Sequence, residues 1–131
     1  MEDNFKLEII SPEKIIFSDD VPMAILPSYE GNMTILKNHI SIITFLRPWI
    51  IKTKKNDGNF EDFFVEDGTI EFFDNKLAVL STSVVNIKDI NKEFLDNLNK
   101  DIQNQLQQKE ITDHERYILN YKVDTLKEIR N

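Results

Sequence analysis

The sequence predicts a β sandwich or flattened barrel of about ten short antiparallel strands, followed by a C-terminal hairpin of two antiparallel helices. Three observations predict this class. Residues 1–87 contain short apolar or alternating runs that recur roughly every 8–12 residues. Glycine and proline interrupt these runs, and neither occurs after residue 88. Beyond that point, apolar residues recur every three or four positions, which is the period of an amphipathic helix.

Alternation identifies the first strand, in which Phe5, Leu7 and Ile9 are separated by charged residues. A break follows, and a second short run leads to a turn predicted at Asp19-Asp20. Pro22 lies inside the third run and indicates an edge position or a bulge, because proline cannot donate to a β ladder. The ten predicted strands cover residues 5–9, 14–17, 21–26, 33–36, 40–46, 49–55, 60–65, 69–73, 77–80 and 84–87.

The run 40–46 and the segment 56–59 carry the least and the most specific of these signals. The run 40–46 suits either a buried helical turn or a strand, and its β-branched residues and short length favour a strand. The segment Asn56-Asp57-Gly58-Asn59 gives the strongest hairpin signal, because Asp-Gly accommodates the positive φ angles of tight turns.

The helical segment contains two amphipathic stripes. In the first, Asp89 or Asn91 can cap the start, and the helix is expected to end near residues 108–111. The second begins with a capping box, Thr112 to Glu115. The two stripes consist of Leu95, Leu98, Ile102 and Leu106, and of Leu119, Val123 and Leu126. We therefore predict two domains, a β sandwich over 1–87 and an α-helical hairpin over 88–131.

Composition excludes several functions. The chain has no cysteine, so thiolate chemistry and disulfides are excluded, and its net charge of −7 argues against nucleic-acid binding. His39 and His114 lie in different predicted domains without metal-ligand spacing. We interpret His114 as an exposed helix residue and His39 as either a structural turn residue or an interface contact. No phosphate-binding glycine motif occurs, so we expect no catalytic, metal or cofactor site.

Neighbouring phenylalanines make both faces of one predicted hairpin region apolar, because adjacent residues of a strand point to opposite faces. One interpretation covers the outer face with the helices, and the other leaves it free to bind a protein. The residues are Phe60, Phe63, Phe64, Phe72 and Phe73. A different hypothesis is a stand-alone ligand- or carbohydrate-binding module that uses exposed aromatics such as Trp49 and Tyr29.

Three motifs resemble the epsilon subunit family of the bacterial rotary ATP synthase, whose mitochondrial counterpart is called delta. The opening strand with its Ser11-Pro12-Glu13 turn matches the first, and Asp67-Gly68 before Ile70-Glu71 matches the last. The central signature is matched by Glu30-Gly31, Ile35-Leu36, His39 and Leu46-Arg47-Pro48. The resemblance covers essentially the whole chain. Four positions depart from the family glycines or from the Pro-Gly pair before the histidine, namely Thr34, Lys37-Asn38, Trp49 and Asp67.

The resemblance implies a non-catalytic subunit of the proton-transporting ATP synthase, without cofactor, that connects the gamma subunit to the membrane c-ring. It implies a peripheral position at the cytoplasmic face of the bacterial inner membrane, without insertion into it. One β face is expected to bury against gamma. The implied gamma or c-ring contacts are Glu30, Gly31, Leu36, Lys37, Asn38, His39, Leu46 and Pro48.

In the family, the helical hairpin can dock on the sandwich or extend toward the alpha and beta subunits and inhibit ATP hydrolysis. Here it carries 9 acidic and 8 basic residues, with arginine only at Arg116 and Arg130, so we expect at most weak inhibition. Some members also bind ATP through an I/L-D-x-x-R-A motif. The nearest match lacks its Asp and Arg, so we predict no physiological ATP binding at Leu119, Asn120, Lys122 and Val123.

Overall fold

Ten strands form one continuous sheet, and two helices follow it, in the computed structural model, which describes residues 3–108 and 110–130. The strands are β1 Phe5–Ile10, β2 Ile15–Val21, β3 Met23–Ser28, β4 Gly31–Ile35, β5 Ile42–Leu46, β6 Trp49–Lys54, β7 Phe60–Val65, β8 Gly68–Phe73, β9 Lys76–Leu80 and β10 Val85–Asn86. A 3-10 turn over Ile87–Asp89 leads to the helices α1 Lys92–Leu106 and α2 Asp113–Arg130. The predicted fold class is confirmed.

The sheet has the strand order β10-β7-β6-β3-β5-β8-β9-β1-β2, and β4 pairs with β3 beside this path. All neighbours are antiparallel except β1 and β9, which run parallel. Inward-facing residues of β1 to β9 meet in a single apolar core. Its largest fully buried side chains include Phe5, Phe63 and Phe72, and the rings of Phe5 and Phe72 meet edge to face at 5.8 Å.

The predicted turn at Asp19-Asp20 is wrong. Both residues belong to β2, where Asp19 lies opposite Leu7 and Asp20 opposite Lys6 of β1. Because β2 is the last strand of the sheet, exposed charged side chains fit there and discourage pairing with another chain. The chain bends instead at Pro22, between β2 and β3.

The helices begin with side-chain caps. Of the two predicted candidates for α1, Asn91 is the cap, and its side-chain oxygen accepts a hydrogen bond from the Phe94 backbone nitrogen at 2.8 Å. The Thr112 hydroxyl oxygen accepts from the Glu115 nitrogen at 3.1 Å, as the predicted capping box requires. The first helix ends at Leu106, slightly earlier than expected. Both helices bury their apolar stripes against each other, around Ile102, Leu119 and Leu126.

The helical hairpin covers the outer face of β6 and β7. The ring of Phe94 in α1 meets the buried Phe64 ring edge to face at 6.4 Å. Lys122 of α2 forms an ion pair with Glu66 at 3.3 Å, beside the end of β7. Phe73 of β8 lies away from this cover and keeps 64% of its surface exposed. The helices therefore cover one half of the phenylalanine-rich region, and the other half stays open.

Candidate protein-binding surfaces

The predicted interface residues fall into two groups at opposite ends of β4. The turn containing Glu30 precedes the strand, and the corner from Leu36 to His39 follows it. Five residues of extended chain span about 16 Å. The two groups therefore lie at the two ends of one strand, on separate turns.

The Glu30 turn is held by a network of short hydrogen bonds. The Ser28 hydroxyl donates to the Gly31 carbonyl oxygen at 2.7 Å, and the Glu30 nitrogen donates to the Ser28 hydroxyl at 3.3 Å. Gly31 has a φ of 123°, which a side chain would strain. The retained glycine therefore allows a turn in which the Glu30 side chain is exposed.

Arg47 is buried behind this turn and binds both of its arms. Its Nε donates to the Ser28 carbonyl oxygen and its Nη2 to the Asn32 side-chain oxygen, both at 2.9 Å. The guanidinium carbon lies 5.3 Å from the Trp49 ring centre and 5.1 Å from that of Tyr121 in α2. The neighbouring Leu46 and Pro48 are also buried. In the isolated chain these residues support the turn and offer little surface of their own.

At the other end of β4, the corner combines exposed and supported residues. Leu36 keeps 51% of its surface exposed, and Lys37 and Asn38 are exposed. The half-buried His39 ring meets the Phe72 ring edge to face at 5.6 Å, and its Nδ1 lies 2.7 Å from the Ile40 carbonyl oxygen. His39 thus has a structural role in the corner. Asn38 has a φ of 67°, so asparagine adopts left-handed backbone where the family signature has glycine.

The other residues that replace family glycines do not adopt a positive φ angle. Within the described residues, the only non-glycine positions with positive φ are Asn38, Asp74 and Asn75. Thr34 and Trp49 lie in regular strands. Gly68 is retained where a Cβ would lie 2.7 Å from the Leu80 carbonyl oxygen, so this position excludes a side chain.

An exposed apolar face on β5, β8 and β9 was not predicted as a unit from the sequence. Register brings Phe45 and Leu80 to one face, because Phe45 lies opposite Thr69, and Thr69 lies opposite Leu80. The exposed Glu71 lies opposite Ile43 on this face, and Ile40 lies just before β5. The exposed fractions are 77% for Ile40, 75% for Ile43, 64% for Phe45, 64% for Phe73 and 51% for Leu80. We call these five residues the apolar face. One signal was available, since the run 40–46 has apolar residues at consecutive positions and so makes both faces of β5 apolar.

A groove of about 870 Å³ continues from the apolar face toward α2. Phe45 and Leu80 line it on the sheet side, and His114 lines it on the helix side. Tyr29 and Asp67 also line it, and burial raises the pKa of the Tyr29 hydroxyl, with a further rise from the nearby Asp67 carboxylate. Of the aromatic residues proposed for a ligand-binding module, Tyr29 lines this groove, whereas the Trp49 ring lies against the Arg47 guanidinium.

The carboxylates at the turns serve local structure. Asp57 accepts a hydrogen bond from the Asn59 backbone nitrogen at 2.8 Å, and this bond holds the pKa of the carboxyl below its ordinary value. In the described part of the chain, histidines and carboxylates form no group of three or more that could hold a metal ion. None of the described helices has the length and apolarity to cross a membrane.

Three of the four residues at the degenerate ATP-motif positions make structural contacts, and the fourth is exposed. Leu119 is buried between the helices, and Lys122 pairs with Glu66. Asn120 is exposed and Val123 packs against the helical core. Asn120 and Val123, which stand at the family's Asp and Arg positions, carry no charge.

An exposed apolar face and a hydrogen-bonded polar turn on a β sandwich are features of a protein that docks on partners. Residues 4–87 match the family model of the ATP synthase delta/epsilon chain, β-sandwich domain. Two curated relatives are both named ATP synthase epsilon chain. The Pelagibacter ubique protein is 44% identical over 128 residues, which cover 97% of this chain and 98% of that one. The Rhizobium etli protein is 30% identical over 95 residues, covering 72% and 70%. The chain belongs to the ATP synthase delta/epsilon family.

Solved structures show the same fold. A chain in the Euglena gracilis mitochondrial ATP synthase, determined as OSCP/F1/c-ring, has a TM-score of 0.75 at 16% identity, covering 97% of this chain and 79% of that one. A chain of the Tetrahymena thermophila mitochondrial ATP synthase central stalk/c-ring has a TM-score of 0.60 at 14% identity, covering 95% and 92%. The predicted family and the prediction of a non-catalytic subunit are confirmed. The stand-alone ligand-binding hypothesis finds no support.

Proposed function

We propose that this chain is the epsilon subunit of the central stalk, which connects gamma to the c-ring during proton-driven ATP synthesis. The apolar face carries this proposal, because it is large, exposed and needs a protein cover. Residues 1–87 form the docking domain and residues 88–131 the helical hairpin. The subunit lies at the cytoplasmic face of the bacterial inner membrane, held there by its partners. The family membership supports this assignment.

Gamma meets the apolar face in this proposal. The helical hairpin already covers the outer face of β6 and β7, so the open half of the sheet is the half that faces a partner. Ile43, Phe45 and Phe73 supply large side chains that a partner can bury, and interface energy concentrates in such residues. The corner from Leu36 to His39 adjoins Ile40 and extends the same contact.

The c-ring meets the Glu30 turn at the other end of β4. This turn is exposed, polar and held in one conformation by Ser28 and Arg47, as a contact that transmits torque requires. Polar loops of a c-ring can accept hydrogen bonds and charges of this kind without burying apolar surface. In this proposal Glu30 faces the c-ring and His39 faces gamma, at the two ends of β4 about 16 Å apart.

The helical hairpin contributes at most weak inhibition of ATP hydrolysis in this proposal. Reaching the alpha and beta subunits requires it to leave the sandwich and lose the contacts of Phe94 and Lys122. Its nearly balanced charge provides little attraction to acidic loops. The side chain of Arg130 lies outside the described part of the chain, and Arg116 is exposed.

Reconstitution tests the proposal. The full chain is added to a bacterial ATP synthase depleted of its epsilon subunit, in membrane vesicles that report ATP-driven proton pumping. We expect the chain to bind the depleted enzyme and to restore pumping per ATP hydrolysed. A matched variant, Phe45→Arg, should restore much less, whereas Phe60→Arg should act like the unchanged chain, because Phe60 is also exposed but lies on β7, three strands from β5. Absence of binding and of restored pumping by the unchanged chain would contradict the assignment.

A further inference from the structure

We propose that Arg47 couples the docking of the helical hairpin to the conformation of the Glu30 turn. Its meaning for the motor rests on the proposed function, since the Glu30 turn is there the c-ring contact. The coupling itself is a property of this chain alone. It makes the position of α2 and the shape of a partner-facing turn parts of one equilibrium.

Arg47 holds the Glu30 turn by three hydrogen bonds. Its side chain binds Ser28 before the turn and Asn32 after it, and its backbone nitrogen donates to the Pro27 carbonyl oxygen at 3.0 Å. These three bonds reach both arms of the hairpin between β3 and β4. Movement of the guanidinium therefore releases or strains the turn.

The position of the Arg47 guanidinium depends on α2, because the Tyr121 ring of that helix contacts it. The guanidinium lies between the rings of Trp49 and Tyr121, and only 9% of the residue is exposed. No ion pair in the described part of the chain involves Arg47, so the rings and the two accepting oxygens stabilise its buried charge. When α2 leaves the sandwich, Tyr121 leaves with it and one side of the cation becomes open to water.

Two further contacts make α2 move together with this segment. The Thr125 hydroxyl shares its one proton between the Tyr121 carbonyl oxygen within α2, at 2.7 Å, and the carbonyl oxygen of Pro48, the residue after Arg47, at 3.2 Å. Lys122 pairs with Glu66 on the neighbouring turn between β7 and β8. Because coupling is reciprocal, a partner that holds the Glu30 turn in this conformation also favours the docked hairpin.

Amide hydrogen exchange on the full chain tests the coupling without any partner subunit. We compare Tyr121→Leu with Tyr121→Phe, which keeps the aromatic ring over Arg47 and loses only the hydroxyl that bonds to the Tyr117 hydroxyl. The reporters are the amides of Glu30 and Arg47, both of which are hydrogen-bonded near the turn. We expect Tyr121→Leu to speed their exchange by at least about fivefold, the lower end of typical coupling, and Tyr121→Phe to change it by less than about twofold.

The reverse direction is tested with Arg47→Lys, which keeps the charge but loses the planar fork. We expect faster exchange in α2 and a changed emission of Trp49, the one tryptophan of the chain. Core amides such as that of Val79 should keep their protection in every variant, which shows that the sandwich stays folded. If Tyr121→Leu also speeds exchange in the core, the coupling is judged from Arg47→Lys alone.

Unchanged exchange at Glu30 together with faster exchange in α2 would overturn the coupling, and so would an Arg47→Lys chain whose α2 exchanges as before. Either result leaves the reconstitution of proton pumping unaffected. A failed coupling is therefore distinguishable from a failed assignment to the central stalk.

Discussion

The backbone nitrogen of Asn38 donates a hydrogen bond to the side-chain oxygen of Asn75 at 2.6 Å, and the Asn75 amide donates back to the Asn38 side-chain oxygen at 3.1 Å. Both residues adopt left-handed backbone, with φ of 67° and 60°. This exchange joins the corner after β4 to the turn between β8 and β9, which are far apart in sequence. Asn38, which replaces a family glycine, thus offsets the cost of its left-handed backbone conformation with a side-chain hydrogen bond.

Asn38→Ala should destabilise the fold more than Asn38→Gly. Alanine is disfavoured in left-handed backbone and also loses the bond from Asn75, so we expect the free energy of unfolding to fall by about 1–3 kcal/mol. Glycine loses the bond but tolerates the backbone, and should cost less than about 1 kcal/mol. Urea denaturation of both variants measures the difference. Equal losses would mean that the positive φ of Asn38 carries no cost.

Asp62 should destabilise the fold at neutral pH. Burial raises the pKa of its carboxyl, only partly opposed by Lys52, and one carboxyl oxygen is buried without a hydrogen-bond partner. A raised folded-state pKa means that the charged form costs stability once the pH exceeds that pKa. Asp62→Asn should therefore raise the free energy of unfolding at pH 7 by about 0.5 kcal/mol, after allowance for its partial exposure. Below the pKa of the unfolded chain the gain should vanish.

Asp57 provides a control of opposite sign. The Asn59 backbone nitrogen lowers its pKa, so its charged form stabilises the hairpin above the unfolded-state pKa and loses that contribution as the pH falls. Asp57→Asn should lower the melting temperature at pH 7 and have little effect in acid. Melting curves of both variants from pH 3 to about pH 7 give the comparison. The same sign for the two variants at neutral pH would show that their environments are misassigned.

ATP should not bind to the helical hairpin. Lys122, the basic residue within the degenerate motif, is already paired with Glu66, and Leu119 is buried between the helices. Thermal unfolding with and without millimolar ATP checks this, and we expect no shift. Glu66→Gln is a useful companion, because it releases Lys122. A saturable ATP-dependent rise in melting temperature for the unchanged chain would refute the prediction.

Removing residues 88–131 should not cause a large rise in ATP hydrolysis by the assembled enzyme. The hairpin lacks a net basic charge, so its loss removes little inhibition. The deletion also uncovers Phe64 and Ile50, so substituting polar residues there keeps the sandwich from associating. Hydrolysis and proton pumping are measured together. A severalfold rise in hydrolysis would show that the hairpin inhibits strongly.

Local patterns determine much of this fold, and the sequence shows them directly. The alternation of Phe5, Leu7 and Ile9 and the caps at Asn91 and Thr112 depend on neighbours within a few residues. The strand through Asp19-Asp20 was missed because its position at the sheet edge depends on the whole topology.

The candidate surfaces were only partly predictable, for the same reason. The motif residues around Glu30 and His39 could be located from the family signature, but their separation by β4 requires the strand pairing. Packing places Arg47 between Trp49 and Tyr121, a residue of the other predicted domain, and no sequence period links the three. The apolar face likewise depends on the register between β5, β8 and β9.

The central claim is that the apolar face binds gamma, and the affinity of the purified chain for purified gamma tests it most directly. We expect Ile43→Arg and Phe45→Arg each to weaken binding by about 2 kcal/mol or more, roughly a thirtyfold rise in Kd, since a charge would be buried at a contact centre. Phe60→Arg, on β7 and three strands from β5, should bind like the unchanged chain. Equal affinity of gamma for all four proteins would contradict the claim.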